Sequence, residues 1–161
     1  MRTPAGAQLE LRGAELQSEV AGRLGSGVEM MQLRNGIFDD APVSVISLAT
    51  IAGLGGEAGM HLDRRRFRAN IVIASESTEP FAEDSWIGGR LVFGSNEAGP
   101  VINLTQRDLR CVMINLDPDT AQQDPRIMKA AVRLNQNNAG AYGTVVRTGE
   151  LSVGQRVSLL H

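Results

Sequence analysis

The spacing of apolar and polar residues changes several times along this chain. Gln8-Leu9-Glu10-Leu11 alternates strictly, which suits a short strand with one buried face, and Pro4-Ala5-Gly6 before it reads as a turn. From 14 to 24 the period lengthens. Leu16, Val20 and Leu24 recur at i, i+4, i+8 and give a helix one apolar face, ended by Gly25 and Gly27. Residues 28–33 predict a strand broken by Asn35-Gly36, and 43–46 a further strand after Asp39-Asp40-Ala41-Pro42. Ser47 is placed to cap a helix over 48–54, stopped by Gly55-Gly56. A loop over 57–60 and a helical turn over 63–67 lead to a strand over 70–74. A polar, acidic loop over 74–85 runs into Trp86, and 86–93 reads as a turn and strand. Strands follow at 101–104 and 110–116, then a turn at Asp117-Pro118-Asp119. The last helix spans 125–135, with Pro125 in its first position and Ile127, Ala131 and Leu134 on one face. A mobile polar loop over 135–138 and strands at 141–147 and 155–160 close the chain. The pattern is mainly β with three helices, and short strands at close spacing belong to a barrel or sandwich.

Composition narrows the partners. The chain has 161 residues, enough to bury a core as one domain, and its 42% hydrophobic content is that of an ordinary soluble protein. A net charge of −2 argues against a nucleic-acid partner. A single cysteine excludes an internal disulfide and suits a reducing cytosol. The N-terminus has no apolar signal region and no apolar run reaches the length of a membrane span, so a cytoplasmic protein is expected.

The basic character is local. Arg64, Arg65, Arg66 and Arg68 crowd ahead of an apolar run, and arginine offers a rigid fork of donors suited to phosphate or carboxylate. The opposing reading is a solvated face, which charge runs commonly are. The sole cysteine, Cys111, follows Arg107 and Arg110, and nearby guanidinium groups favour the thiolate, which attacks electrophiles and binds soft metals. A lone cysteine also serves as a small core hydrophobe.

Four segments carry a resemblance. "RRFRANIVI" at 65–73, "PFAEDSW" at 80–86, "RCVMINLDPDT" at 110–120 and a closing "YGTVV…GELSVGQRVSLL" from 142 stand in that order. They resemble the MOSC domain, the C-terminal domain of molybdenum-cofactor sulfurases, found also in amidoxime-reducing molybdenum enzymes and in small free-standing bacterial proteins. The usual pattern reads R-F-R-P-N-I, E-D-W, R-C with D-P-x-T, then G-x-x-V-G-D-x-V. The resemblance runs from about Val43 to the end, with the cysteine at the family's cysteine position. It implies a distorted β-barrel with about three peripheral helices. Residues 1–161 are expected to form one MOSC-like domain, with 1–40 as its divergent strand-helix-strand part. Ala69 stands where the family usually has proline, which loosens φ there but leaves the flanking Arg68 and Asn70 in place.

The resemblance implies two roles for Cys111: ligand to molybdenum, since soft thiolate suits such a metal, or carrier of a sulfane sulfur as a persulfide. It points to Arg68 and Asn70, from the R-P-N triad, as holders of a pterin phosphate. Arg110 would join them only if the chain bulges or turns, because neighbours on a regular strand face opposite ways; Arg107 has the same register problem. Asp84 could orient an arginine or move a proton, Glu83 reads as an ion-pair partner of the arginines, and Trp86 as packing. Tyr142 and Gly143 align with a family segment near the cofactor. Asp117, Asp119 and Thr120 form a turn and lack the ligands of a calcium site. A Cys111–His61 nucleophile pair has no spacing rule behind it, and zinc would need ligands this chain does not cluster. Family members are also associated with pyridoxal phosphate. Lys129, the only lysine, lies in an amphipathic helix and fits no Schiff-base pattern, so that cofactor is not expected.

Two functions of different kinds follow. One is a molybdenum-cofactor oxidoreductase that reduces N-hydroxylated substrates with electrons from an external donor. The other is a non-redox sulfur carrier or cofactor-binding module served by a sulfur donor protein. A stable barrel with no ligand is a third reading. Larger members carry an N-terminal β-barrel that adds cofactor contacts; about forty residues precede Val43 here, so a more open pocket is expected. The sequence leaves the substrate, the donor and the oligomeric state open.

Overall fold

The computed structural model describes residues 1–31, 38, 40–94 and 99–161. The chain forms two compact units, 1–37 and 38–161.

In the first unit, helix α1 (Ala14–Leu24) has the bounds its apolar period predicts; Gly25, at φ 69, ends it in the left-handed conformation that glycine adopts readily. Leu16 is buried, Val20 half-buried and Leu24 65% exposed, so engagement of the apolar face fades along the helix. The strand expected at 8–11 reduces to one bridge, Arg2 to Gln8. Residues 28–31 form no strand; Asn35-Gly36 and the rest of that expected strand lie outside the described residues.

The second unit is built on a curled six-stranded sheet, a half-barrel in keeping with the distorted β-barrel expected, with two helices packed together beside it. Its strands are β1 (Val43–Ser47), β2 (Ile71–Ile73), β3 (Arg90–Phe93), β4 (Val101–Leu109), β5 (Asn138–Arg147) and β6 (Val157–Leu160). Their order is β2-β1-β5-β4-β3-β6; β1 and β2 run parallel and the other pairs antiparallel. The helices are α2 (Leu48–Ala58) and α3 (Arg126–Asn135).

Alternation along β1 divides the core. Ile46 joins Ile51, Leu54, Phe67, Ile114 and Ile127 beneath the helices, whereas Val45 joins Ile73, Leu91, Ile102 and Leu104 on the other side. Ala139 and Ala141 of β5 share a parity yet sit in different clusters. Gly140 between them has φ 95, which breaks the pleat, and a Cβ there would lie 2.5 Å from the Val45 carbonyl oxygen.

Helix α2 runs past the expected stop at Gly55-Gly56. Gly55 is buried, and a Cβ on it would meet the Met60 carbonyl at 2.6 Å, so packing of the returning chain selects glycine within the helix. Its start is held by more than the expected Ser47 cap, which accepts from Thr50 N at 3.0 Å. Glu83, fully buried, accepts from Ser47 N at 2.6 Å and from the Thr50 hydroxyl at 2.7 Å. A carboxyl group there satisfies donors at the positive end of the helix dipole. Glu83 is therefore a helix clamp and not the arginine partner expected of it. In α3 the buried stripe is Ile127, Ala130 and Ala131; Leu134, in the last turn, is 42% exposed.

Candidate functional site

The largest departure from the sequence pattern lies at the cysteine. The strand expected over 110–116 does not form. β4 ends at Leu109, and Cys111 caps a 3₁₀ turn, Val112–Asn115, with its side chain exposed. The apolar alternation of Val112 and Ile114 mimics a strand, but only Ile114 is buried; Leu109, Val112 and Met113 are exposed around the thiol. Asn115, buried, holds this turn to α3 by accepting from Met128 N at 2.9 Å.

The turn at Arg110 exists, but its guanidinium points inward. It pairs with the buried carboxyl of Asp108, donates to the Phe67 carbonyl, and lies 5.5 Å over the Phe67 ring. Arg110 is thus committed to the core, and its bond to Phe67 ties the residue before Cys111 to the residue before Arg68.

The four arginines divide between two tasks. Arg65 bridges Asp63 at 2.7 Å and Asp119 at 2.6 Å, and Arg66 donates to the Asn115 carbonyl at 3.1 Å and to Asp117 at 2.9 Å. Hydrogen bonds from Arg65 hold the Asp63 carboxyl down to about 2 and keep Asp119 low as well. Asp117 lies below the usual carboxylate range mainly through the backbone N–H groups of Thr120 and Asp119. The 117–120 turn therefore fastens the arginine segment beside the cysteine turn, which fits its reading as structure. Among the described residues, no side-chain hydrogen bond or ion pair engages Arg64 or Arg68, and both are exposed. Arg68 adopts φ 51, held by its N–H on the Arg65 carbonyl at 3.2 Å.

Asn70 is engaged by the fold. Its Oδ1 accepts from Ser44 N at 2.8 Å and its N–H donates to the Ser44 carbonyl at 3.0 Å, which aligns β2 beside β1. Its side-chain amide N–H groups carry no bond among the described residues. Tyr142 and Gly143 lie within β5, Tyr142 opposite Ser44 and Gln106, Gly143 opposite Val43 and Leu104. A Cβ at Gly143 would reach the Asn103 carbonyl at 2.9 Å, so close strand packing accounts for this glycine.

Asp84 lies in a 3₁₀ turn, Ala82–Trp86. Its Oδ2 accepts from Asn135 Nδ2 at 3.0 Å and from Arg107 at 3.4 Å, while its buried Oδ1 has no partner among the described residues. Trp86 packs on the second core cluster, in keeping with its expected packing role. The polar loop at 135–138 is an ordered part of the site that composition did not reveal. Asn138 is buried and donates to the Asn135 and Gln136 carbonyls, both at 3.1 Å. Asn137 exchanges two hydrogen bonds with Arg110, and its buried Oδ1 has no partner among the described residues. The sequence signal was the run of asparagines, which suits side-chain capping of loop carbonyls as well as it suits mobility.

Cys111 presents an exposed thiol, and among the described residues Arg64 and Arg68 have guanidinium groups without a side-chain partner. By residue type a thiol suits a soft metal and a guanidinium a phosphate. Among the described residues there is no cluster of three histidine, cysteine or acidic side chains, and no helix long and apolar enough to cross a membrane.

Comparison with known proteins gives three kinds of match. The MOSC domain family profile matches residues 22–158. Mitochondrial amidoxime reducing component 2 of Bos taurus is 29% identical over 132 residues, and that of Rattus norvegicus 30%; each match covers 74% of this chain and 37% of the relative. Mitochondrial amidoxime-reducing component 1 of Homo sapiens is 27% identical over 135 residues. The chain thus spans little more than a third of the length of these relatives. The crystal structure of the YUAD protein from Bacillus subtilis superposes with a TM-score of 0.59 at 18% identity, over 76% of this chain and 65% of that one, a likeness of fold.

Proposed function

This chain belongs to the MOSC-domain family, and from that premise we propose that it binds molybdenum cofactor and reduces N-hydroxylated substrates with electrons from an external donor protein. The relatives named as amidoxime-reducing components support the reading at the level of the family. The observation that carries it in this chain is the bond from Arg110 to the Phe67 carbonyl, which ties the cysteine segment to the segment that bears Arg68.

When bound, the cofactor would supply a metal that takes up and passes on two electrons. The Cys111 thiolate would hold the metal. Arg68, with Arg64 beside it, would hold the phosphate by charge-assisted hydrogen bonds. Asp84 would offer Oδ1, which has no partner among the described residues, as a hydrogen-bond acceptor, while Arg107 and Asn135 fix the carboxyl group from its other oxygen. Asn70 would contribute through its side-chain amide N–H groups and through the β1–β2 alignment. Arg110, Tyr142 and Gly143 would shape the site from within the fold.

The direct test is reduction of an amidoxime or N-oxide by cofactor-loaded protein with a chemical electron donor. Activity is expected in the wild type, background rates in Cys111→Ser, and a raised cofactor requirement in Arg68→Ala. Full activity in Cys111→Ser would overturn the ligand assignment. The exposure of Cys111 favours one second reading, a persulfide carrier. That reading predicts a mass increase of one sulfur on Cys111 after incubation with a persulfide donor, which hands its outer sulfane sulfur to the thiolate and leaves as a thiol, and no reduction activity.

A further inference from the structure

We propose that Asn137 is a positioning residue that sets the reactivity of Cys111. The proposal rests on Cys111 being the working group of the site, whichever chemistry it performs. Both main-chain polar groups of Arg110, the residue before the cysteine, close on this one asparagine. Arg110 N donates to the Asn137 carbonyl at 2.9 Å, and Asn137 Nδ2 donates to the Arg110 carbonyl at 2.7 Å. That carbonyl belongs to the peptide that joins Arg110 to Cys111, so the asparagine side chain sets the plane from which the cysteine departs. The Arg110 side chain is pinned independently by Asp108 and the Phe67 carbonyl. The cysteine is exposed, yet the residue before it is held at both main-chain polar groups and at its side chain.

The backbone geometry of the loop supports the same assignment. Gln136 and Asn137 have φ of 52 and 69, two consecutive non-glycine residues in the left-handed region, an arrangement that persists only when its surroundings over-determine it. Those surroundings are explicit. Gln136 N donates to the Val132 carbonyl at 3.2 Å and Asn137 N to the Ala131 carbonyl at 3.0 Å, while Asn138 spans the loop from below. At the other end Asn135 grips Asp84. One short loop therefore holds both the acid and the thiol segment.

The lone cysteine makes the test clean, because alkylation of the full chain reports on Cys111 alone and needs no cofactor. The rate of reaction with iodoacetamide is measured at one fixed pH for the wild type, Asn137→Gly, Asn137→Asp and Gln136→Gly, with the melting temperature of each beside it. Glycine accepts the left-handed φ without strain and keeps the Arg110 N–H bond, so Asn137→Gly removes only the side-chain donation. The expected result is a rate constant changed roughly fivefold, the factor to which one neutral hydrogen bond corresponds. A larger change is expected in Asn137→Asp, which sets an acceptor against the Arg110 carbonyl, and none in Gln136→Gly. A role in stability alone would lower the melting temperature and leave the alkylation rate of the folded chain unchanged. Equal rates for the wild type and both Asn137 variants would overturn the proposal. A changed rate in a chain that binds no molybdenum would retain it and discard the redox reading.

Discussion

Arg110 and Asp63 show how differently a charge is used once its neighbours are known. Arg110 stands beside the cysteine in the sequence but is drawn into the core, because Asp108 and a free carbonyl await it there. Composition does not reveal such partners, so the cofactor role expected of Arg110 could not be separated from a structural one. The choice of Arg68 among four arginines came from the family pattern alone; in the structure Arg65 and Arg66 are occupied by Asp119, Asp63 and Asp117, while Arg64 and Arg68 have no side-chain partner among the described residues. Asp63 yields a pH prediction. Its carboxyl is held down to about 2 in the folded chain, against about 3.9 unfolded. A depressed acid stabilises above its unfolded value and loses that contribution as pH falls through its folded value. The urea midpoint of Asp63→Asn should therefore lie below that of the wild type at pH 7, and the gap should close between about pH 4 and pH 2. Because the pair is exposed the gap will be small and will shrink in salt. A gap that widens on acidification would contradict the assignment.

Helices whose ends carry caps were the most legible elements. α1 has the predicted bounds, and α3 starts directly after Pro125. α2 starts after Ser47 as read, yet overruns its glycines, because the cost of glycine in a helix is offset by buried packing that a local pattern cannot show. The segment after β4 was misread for a related reason. Val112-Met113-Ile114 has the composition of a strand, but Arg110 and Asn115 draw the chain into a 3₁₀ turn through partners far along the sequence. The Glu83 clamp on α2 was likewise invisible, since it joins residues more than thirty apart. Removing it leaves the Ser47 N–H and the Thr50 hydroxyl without their buried acceptor. Glu83→Ala should cost on the order of 3 kcal/mol in urea unfolding, with the melting temperature lowered in step. A loss below about 1 kcal/mol would mean that the remaining Ser47 cap suffices.

For the molecule as a whole, the order of the four segments pointed to both the family and the curled sheet, and a family match over residues 22–158 agrees. What order alone could not say is how the segments meet. The first and third meet through Arg110 to the Phe67 carbonyl, Arg66 to the Asn115 carbonyl and Asp117, and Arg65 to Asp119, while Asn137 holds Arg110 from the loop before the fourth. All the site residues fall within 38–161, the unit built on the sheet. The central claim is that Cys111 holds molybdenum with Arg68 supporting the cofactor. Its most direct test is the molybdenum content per chain of protein made in a cofactor-producing host, wild type beside Cys111→Ser. The account predicts near-stoichiometric metal in the wild type and its loss in the serine variant. Equal metal in both, or none in the wild type under those conditions, would contradict it; the second outcome would leave Cys111 as a carrier of sulfur.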